Sequence, residues 1–250
     1  MTDSSVSAGG VEELGIFSPA ELRAGGINGR GFLQPILPPP EGVDPVAEAR
    51  RVSYGLADRG LLLRQGLSWV PIGRFGRILD AVAAARSLVS AETGPAGRPL
   101  PRLAFGRLGD TDRVLDLEPA GGVFRARLTD TRRSTTSLTG YLGLGGLRRP
   151  ATRAARAVSE ADPEWSRVEK LLAEGTVVAK VEAATVERPD VPLIQQRMSV
   201  VSCTDGYWFL LGTRRGSDRS RVAVPGSVAR AEQTLTAMLK GARAEVVLGA

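Results

Sequence analysis

The most regular pattern in this chain is a stripe of apolar residues between positions 72 and 85. Ile72, Phe75, Leu79 and Val82 lie three or four positions apart, which predicts an amphipathic helix with one buried side. The stripe follows a Val-Pro junction. A second Val-Pro junction near the end of the chain leads into a similar stripe, Val228, Ala231, Leu235 and Met238.

Two more helices are predicted by the residues at their ends. Asp44-Pro45 opens a stretch that Gly60 closes, and Asp162-Pro163 opens a stretch that Gly175 closes. An aspartate can accept a hydrogen bond from a first-turn amide, and proline has no amide to leave unpaired there. Glycine suits the residue after a helix. Similar parts therefore occur in both halves of the chain, although their order differs.

Strand patterns fill the rest of both halves. Turns rich in Gly and Asp separate segments 103–108, 114–117 and 123–128, which predicts an antiparallel meander. In the last segment Arg125 and Arg127 alternate with apolar residues, so one side is expected to be buried and the other to form a wet docking surface.

A second hairpin is predicted in the later half. Asp205-Gly206 lies between the apolar runs 193–203 and 207–214, and an Asp-Gly pair in that position is a strong hairpin signal. By contrast, segment 129–150 contains many glycines and a serine- and threonine-rich approach. We expect it to be irregular, with residues 134–137 in a loop.

These elements predict an α/β protein of the α+β kind. We expect a central, mainly antiparallel sheet with helical bundles, in a quasi-two-fold arrangement of two related halves. Residues 1–44 are rich in Gly, Ser and Pro and are predicted to be a flexible segment, with a short helix after Ser18 and apolar residues that strap across the body. Residues 45–250 are predicted to form a single domain, with halves at 45–147 and 148–250.

Composition narrows the class of protein. The chain has 250 residues, 42% of them hydrophobic, which is enough for a sizeable core. No apolar run approaches the ~20 residues that span a bilayer, and the first residues do not resemble a signal peptide, so we expect a cytoplasmic protein without a membrane span. Histidine is absent, which removes Ser/His and Cys/His relays and the commonest zinc ligand.

No constellation of residues predicts catalysis, a metal or a cofactor. Cys203 is the only cysteine and lies in an apolar run, where a buried structural thiol is expected. The carboxylate pairs Asp110/Asp112 and Asp116/Glu118 are expected to serve turns and a solvated strand, because a cation site needs oxygens from several segments. We therefore predict a protein that is not an enzyme.

The net charge of +6 and pI near 10.2 raise the question of nucleic-acid binding. Nearly all of the excess is arginine, and it is spread along the chain. One cluster, Arg214-Arg215 with Arg219 and Arg221, follows two aromatic residues. The residues that we predict to bind a partner are Arg125, Arg127, Tyr207, Trp208, Arg214 and Arg215.

Parts of the sequence resemble the EspG family, the cytoplasmic chaperones of actinobacterial type VII (ESX) secretion. The resemblance covers about half of the chain, from Arg51 to Thr93 and from Ala173 to Ala242. It is carried by Leu56-Ala57-Asp58-Arg59-Gly60-Leu61-Leu62, by the Val70-Pro71 helix, by Cys203-Thr204-Asp205-Gly206-Tyr207-Trp208, and by Val222-Ala223-Val224-Pro225 leading into Leu235 and Leu239. The chain departs from the family in its basic charge and its Gly/Pro-rich opening.

The resemblance implies a quasi-two-fold α/β protein that keeps helical secretion substrates of the PE/PPE type in soluble form before export. The alternative interpretation is a basic nucleic-acid-binding regulator, with the helices at 44–60 and 72–85 in a winged-helix-like unit and the arginines on phosphates. A third interpretation is an enzyme that acts through carboxylates. The sequence leaves these interpretations open.

Overall fold

The structure of the chain is a computed structural model. It describes residues 10–25, 37, 41–94, 100–146, 156–186 and 193–244. The sequence also favours a tail or edge segment at 246–248 and an arginine cluster of Arg148, Arg149, Arg153 and Arg156. The tail segment and the first three of these arginines lie outside the described residues.

The described residues form six α-helices and twelve strands. The helices are α1 Pro19–Ala24, α2 Pro45–Asp58, α3 Gly73–Ala84, α4 Thr131–Tyr141, α5 Trp165–Glu174 and α6 Val228–Leu239, with a short 3-10 turn at Leu144–Gly146. The strands are β1 Glu12–Phe17, β2 Leu62–Gln65, β3 Ser68–Pro71, β4 Ala85–Thr93, β5 Arg102–Leu108, β6 Arg113–Ala120, β7 Val123–Asp130, β8 Val158–Ser159, β9 Thr176–Thr185, β10 Ile194–Cys203, β11 Gly206–Arg215 and β12 Asp218–Pro225.

Ten of these strands form one sheet in the order β1-β7-β6-β5-β4-β9-β10-β11-β12-β8. All the pairings are antiparallel, and β4 pairs with β9 at the centre. Each half therefore consists of a helix, a four-stranded meander and a second helix. In the first half these are α3, β4 to β7 and α4; in the second half they are α5, β9 to β12 and α6. The predicted antiparallel α+β fold with two related halves is confirmed. Strands β2 and β3 form a separate hairpin.

The two sides of the sheet are covered differently. On one side α4 and α6 pack together across both halves, over a core that includes Val89, Val181 and Phe209. On the other side α1, α2 and α3 cover the first half, over a core that includes Phe105 and Leu117. Among the described helices, α5 is the one that covers the second half on that side, where it packs with residues of β10, β11 and β12.

Local hydrogen bonds explain where several helices begin. Asp44 caps α2 through the amide of Val46 at 2.9 Å, and Ser227 caps α6 through the amide of Arg230 at 3.2 Å. Ser18 and Glu21 form a reciprocal capping box at α1. The predicted Asp205-Gly206 hairpin is confirmed, since β10 and β11 pair in continuous register from one end to the other.

Helix α5 begins later than the sequence predicts. The side chain of Asp162 accepts hydrogen bonds from the amide and hydroxyl of Ser159, at 2.6 and 3.0 Å, and does not cap the helix. The backbone hydrogen bond from Ser159 is the main reason that the pKa of Asp162 lies below its ordinary value. The helix starts at Trp165, after a turn.

The prediction of an irregular segment after residue 129 is wrong for residues 131–141, which form helix α4. Asp130 caps it by accepting a hydrogen bond from the amide of Arg133 at 2.8 Å. The helix has few apolar residues, but Ser134, Thr135 and Thr139 are buried beside Leu138. Small hydroxylated residues allow close packing here, and their lack of apolar periodicity hid the helix from sequence reasoning.

The N-terminal part of the chain belongs to the body over residues 12–24, within the segment predicted to be flexible. Strand β1 pairs with β7, and Leu14, Phe17 and Leu22 are buried. Leu14 and Phe17 belong to the predicted apolar strap, and Leu22 lies on the short helix predicted after Ser18. Glu12 anchors the strand to Arg77 and Arg113.

Candidate partner-binding site

The second half of the sheet has a side that helices leave largely uncovered. Cross-strand neighbours in an antiparallel ladder point to the same side. Lys180 pairs with Ser199 and Ser199 with Leu210, while Glu182 pairs with Arg197 and Arg197 with Gly212. We call this surface the open face; its residues are Lys180, Glu182, Arg197, Ser199, Leu210, Gly212, Arg214 and Arg219.

Helix α5 limits the open face at one end. Its buried residues Trp165, Val168 and Leu172 pack with Val201, Trp208 and Ala223 of the sheet. Beyond this cluster Lys180, Glu182, Arg197 and Arg214 are exposed. The open face is therefore a flat, charged floor beside α5.

Two arginines near the open face, Arg197 and Arg221, already have carboxylate partners. Glu182 accepts hydrogen bonds from Nε and Nη2 of Arg197 at 2.9 and 2.6 Å. Arg221 lies 3.2 Å from a carboxylate oxygen of both Glu160 and Glu169, and its guanidinium stacks 5.2 Å from the ring of Trp165. These pairs are exposed, so each contributes little to stability. They keep Arg197 and Arg221 in place.

A second exposed surface lies on the β2–β3 hairpin and is apolar. Leu67 at its turn is 99% exposed and Leu63 is 50% exposed. On the other side of the hairpin, the ring of Tyr54 on α2 packs edge-on against Trp69, with centroids 5.6 Å apart. Buried Leu62 fixes the hairpin to the first half. We call the exposed pair Leu63 and Leu67 the hairpin patch.

The six residues predicted to bind a partner do not come together. Arg127 pairs with Glu118 on β6 and, like Arg125, points to the α4 side of the first half. Tyr207 packs with the core beneath α4 and α6. Arg214 lies on the open face, whereas Arg215 is the next residue of the strand and points to the opposite side.

Trp208 is an interior residue. It is 1% exposed, packs in the cluster beneath α5, and donates a hydrogen bond from its indole nitrogen to Oδ1 of Asp205 at 3.2 Å. A side chain with this burial stabilises the fold and offers no surface to a partner. The aromatic residue that follows the Asp205-Gly206 turn therefore packs in the interior of the protein.

The acidic pair Asp116/Glu118 is neutralised by arginine. Arg102 is buried and holds Asp116 through Nε at 3.0 Å, and it also donates to the backbone oxygen of Ser137 at 3.1 Å. This network ties α4 to the sheet. Glu118 forms a salt bridge with a second arginine, Arg127.

The remaining chemical groups of note are a cysteine and a polar cleft. Burial, followed by the nearby charge of Asp205, raises the pKa of the Cys203 thiol, so the thiol stays protonated at neutral pH. A polar cleft of about 380 Å³ lies where α4 meets α6 and is lined by threonines with Asp112 and Lys240. Within the described residues no group of His, Cys, Asp and Glu is arranged to hold a metal ion, and no helix is both long and apolar enough to cross a membrane.

Comparison with known proteins places the fold. No family model matches the chain, and no curated protein sequence matches it significantly. Thirteen chains of solved structures match it. One is the Mycobacterium tuberculosis type VII secretion system chaperone EspG5, in a structure of its complex with the PE25–PPE41 dimer; it shares 10% identity with this chain, the TM-score is 0.50, and the match covers 94% of this chain and 97% of that one.

This chain has the fold of that chaperone. At this identity the likeness concerns the fold alone, and it extends over both halves. The family resemblance found in the sequence is thus supported at the level of structure.

Proposed function

We propose that this chain is a non-enzymatic, cytoplasmic, chaperone-like protein that binds a helical type VII secretion substrate of the PE/PPE kind before export. The observation that carries the proposal is the fold shared with EspG5 over nearly the whole chain, in a structure where EspG5 holds a PE25–PPE41 dimer. Shared architecture across both halves favours a shared mode of action, although it does not identify the partner.

Two surfaces support a binding role. The hairpin patch exposes apolar side chains, and exposed apolar surface of this kind commonly marks an interaction site. The open face offers a rigid sheet floor with fixed charges. A helical substrate that exposes an apolar tip could bury it against such surfaces and avoid aggregation.

A non-enzymatic role agrees with the chemistry of the chain. The Cys203 thiol has a raised pKa, and Asp116 is held by buried Arg102. The sequence has no histidine to activate a nucleophile.

The alternative, a nucleic-acid-binding regulator, is weaker. Helices α2 and α3 are joined by the β2–β3 hairpin, whose turn presents Leu67, and an apolar tip does not favour phosphate binding. In the arginine cluster at the β11–β12 turn, Arg221 is already engaged by Glu160 and Glu169.

Coexpression with a PE/PPE-type protein pair tests the proposal. The tagged chain should retain the pair through gel filtration as a stable complex. Leu67→Glu should reduce retention, because it places a charge at the most exposed apolar position of the hairpin patch. Ile16→Glu is the matched control, since Ile16 is 55% exposed on the edge strand β1. Failure of the wild type to retain any PE/PPE-type pair would contradict the proposal.

A further inference from the structure

We propose that a helix of the partner crosses the open face over Gly212, and that Arg214 and Arg219 bind a carboxylate of that helix. The inference rests on the proposed function and specifies the place and chemistry of docking. Two independent features of the open face support it, a glycine that the fold does not need and a pair of like charges.

Gly212 lies inside β11 and pairs with Arg197 on one side and Arg221 on the other. Its φ lies outside the left-handed region that requires glycine, and a Cβ atom placed there would meet no atom within 4 Å. Neither backbone nor packing therefore demands glycine, and glycine weakens a strand interior. Its effect is a depression in the sheet surface, where another backbone can approach closely.

Arg214 and Arg219 stand directly opposite each other on β11 and β12 and point to the same side. Like charges at directly opposed positions destabilise a sheet. Among the described residues no ion pair links either arginine to a carboxylate, and Nε of Arg214 donates only to the backbone oxygen of Gly216, at 3.3 Å. Asp218 is opposite Arg215 and points to the other side of the sheet.

An incoming carboxylate would relieve this repulsion. Arginine presents a planar fork of donors that matches a carboxylate and often binds it with two hydrogen bonds. The neighbouring Arg197 and Arg221 are occupied by Glu182, Glu160 and Glu169, so they frame the depression while Arg214 and Arg219 remain available.

The space over the open face fits a helix. Adjacent strands lie about 4.8 Å apart, so β9, β10 and β11 span about 10 Å, close to the diameter of a helix with its side chains. On the same side of the sheet the first half carries α1, α2 and α3, whereas within the part of the chain that the structure describes the second half carries α5. A partner helix would lie where the first half has helices of its own.

The test measures affinity for the coexpressed PE/PPE-type pair together with thermal stability. Gly212→Val fills the depression with a residue that favours strands, and Arg219→Glu reverses one charge of the pair. Arg132→Glu on α4, across the sheet, makes the same charge change at an exposed position and serves as the control. We expect the first two variants to bind at least about tenfold more weakly, since a lost charged contact at an interface has effects of that order. The control should stay within about twofold.

In the free protein, both open-face variants should melt at the wild-type temperature or above it at low salt. Unchanged affinity in both variants would overturn the inference and leave the proposed function intact. A clear fall in melting temperature would also overturn it, because the two residues would then serve the fold. If the wild type binds duplex DNA and Arg219→Glu abolishes that binding, the pair serves phosphates and the inference is wrong. If the wild type retains no PE/PPE-type pair, the proposed function fails and this inference fails with it.

Discussion

The same side of the sheet is built in opposite ways in the two halves. In the first half Phe105, Leu117 and Phe124 are buried beneath three helices. In the second half the corresponding side carries Arg197, Gly212 and other polar residues, and one helix covers one end only. The two halves therefore share a strand order but differ on this side of the sheet. Helices bury it in the first half, and the described residues leave much of it exposed in the second.

The largest effects should follow truncation of the core residues on this side. Phe105→Ala and Trp208→Ala should each lower the free energy of unfolding by about 3–5 kcal/mol, because both remove a fully buried aromatic side chain. Chemical denaturation monitored by circular dichroism measures this loss. A nearly neutral Trp208→Ala would show that the region beneath α5 is not a true core and would break the comparison.

Helices α4 and α6, which pack together on the opposite side of the sheet, should lose similar stability when their N-terminal caps are removed. Asp130 caps α4 in the first half and Ser227 caps α6 in the second, each through an amide three residues on. Alanine at either position should cost about 0.5–2 kcal/mol. Asp130→Asn and Ser227→Thr retain a capping oxygen and should cost much less. A large difference between the two alanine variants would show that the halves are not equivalent on this side.

Low pH should reduce the stability that Glu12 gives to the edge strand β1 of the first half. Burial raises the pKa of Glu12, but the hydrogen bonds and charges of Arg77 and Arg113 outweigh it, so the pKa lies below its usual 4.5. A lowered pKa contributes stability that is present above the unfolded value and is lost as pH falls through the folded value. The contribution should be about 0.2–1 kcal/mol, since the arginines are exposed.

Denaturation of wild type and Glu12→Gln at pH 7 and near pH 3 isolates this contribution. The two proteins should differ at pH 7 and converge in acid. A constant difference across this range would mean that the charge of Glu12 does not hold β1.

The smallest effect is expected on the open face. Ser199→Ala should change the free energy of unfolding by no more than about 0.5 kcal/mol, because Ser199 is partly exposed on the sheet surface. A loss above 1 kcal/mol would indicate that this surface stabilises the fold.

Much of the fold could be predicted from the sequence, where local chemistry decides the outcome. Asp44 caps α2 as expected, and Asp205-Gly206 forms the expected hairpin. Strand β4 was not predicted, because a central strand covered on both sides has mixed residues such as Ser87, whose hydroxyl bonds the distant carbonyl of Leu239. Helix α4 was missed because its buried side is made of hydroxylated residues.

The candidate site was harder to predict than the fold. Alternation correctly placed Arg125 and Arg127 on one side of β7, but it could not show that β6 and α4 lie beside them. The open face depends on pairings between β9, β10, β11 and β12, and on the absence of a covering helix, which are tertiary properties. The sequence alone gives no reason to single out Gly212. Its position between Arg197 and Arg221 on neighbouring strands follows only from the strand register.

The most direct test of the central claim is a binding titration of the purified chain at two salt concentrations, with a PE/PPE-type dimer and with duplex DNA. The account predicts that the dimer binds at low and physiological salt, because apolar burial at the hairpin patch contributes strongly, and that DNA does not bind. Tight DNA binding that falls by ~10³ or more between the two concentrations, as expected when six or more phosphates are neutralised, and that is lost when Arg214, Arg215, Arg219 and Arg221 are replaced, would contradict it.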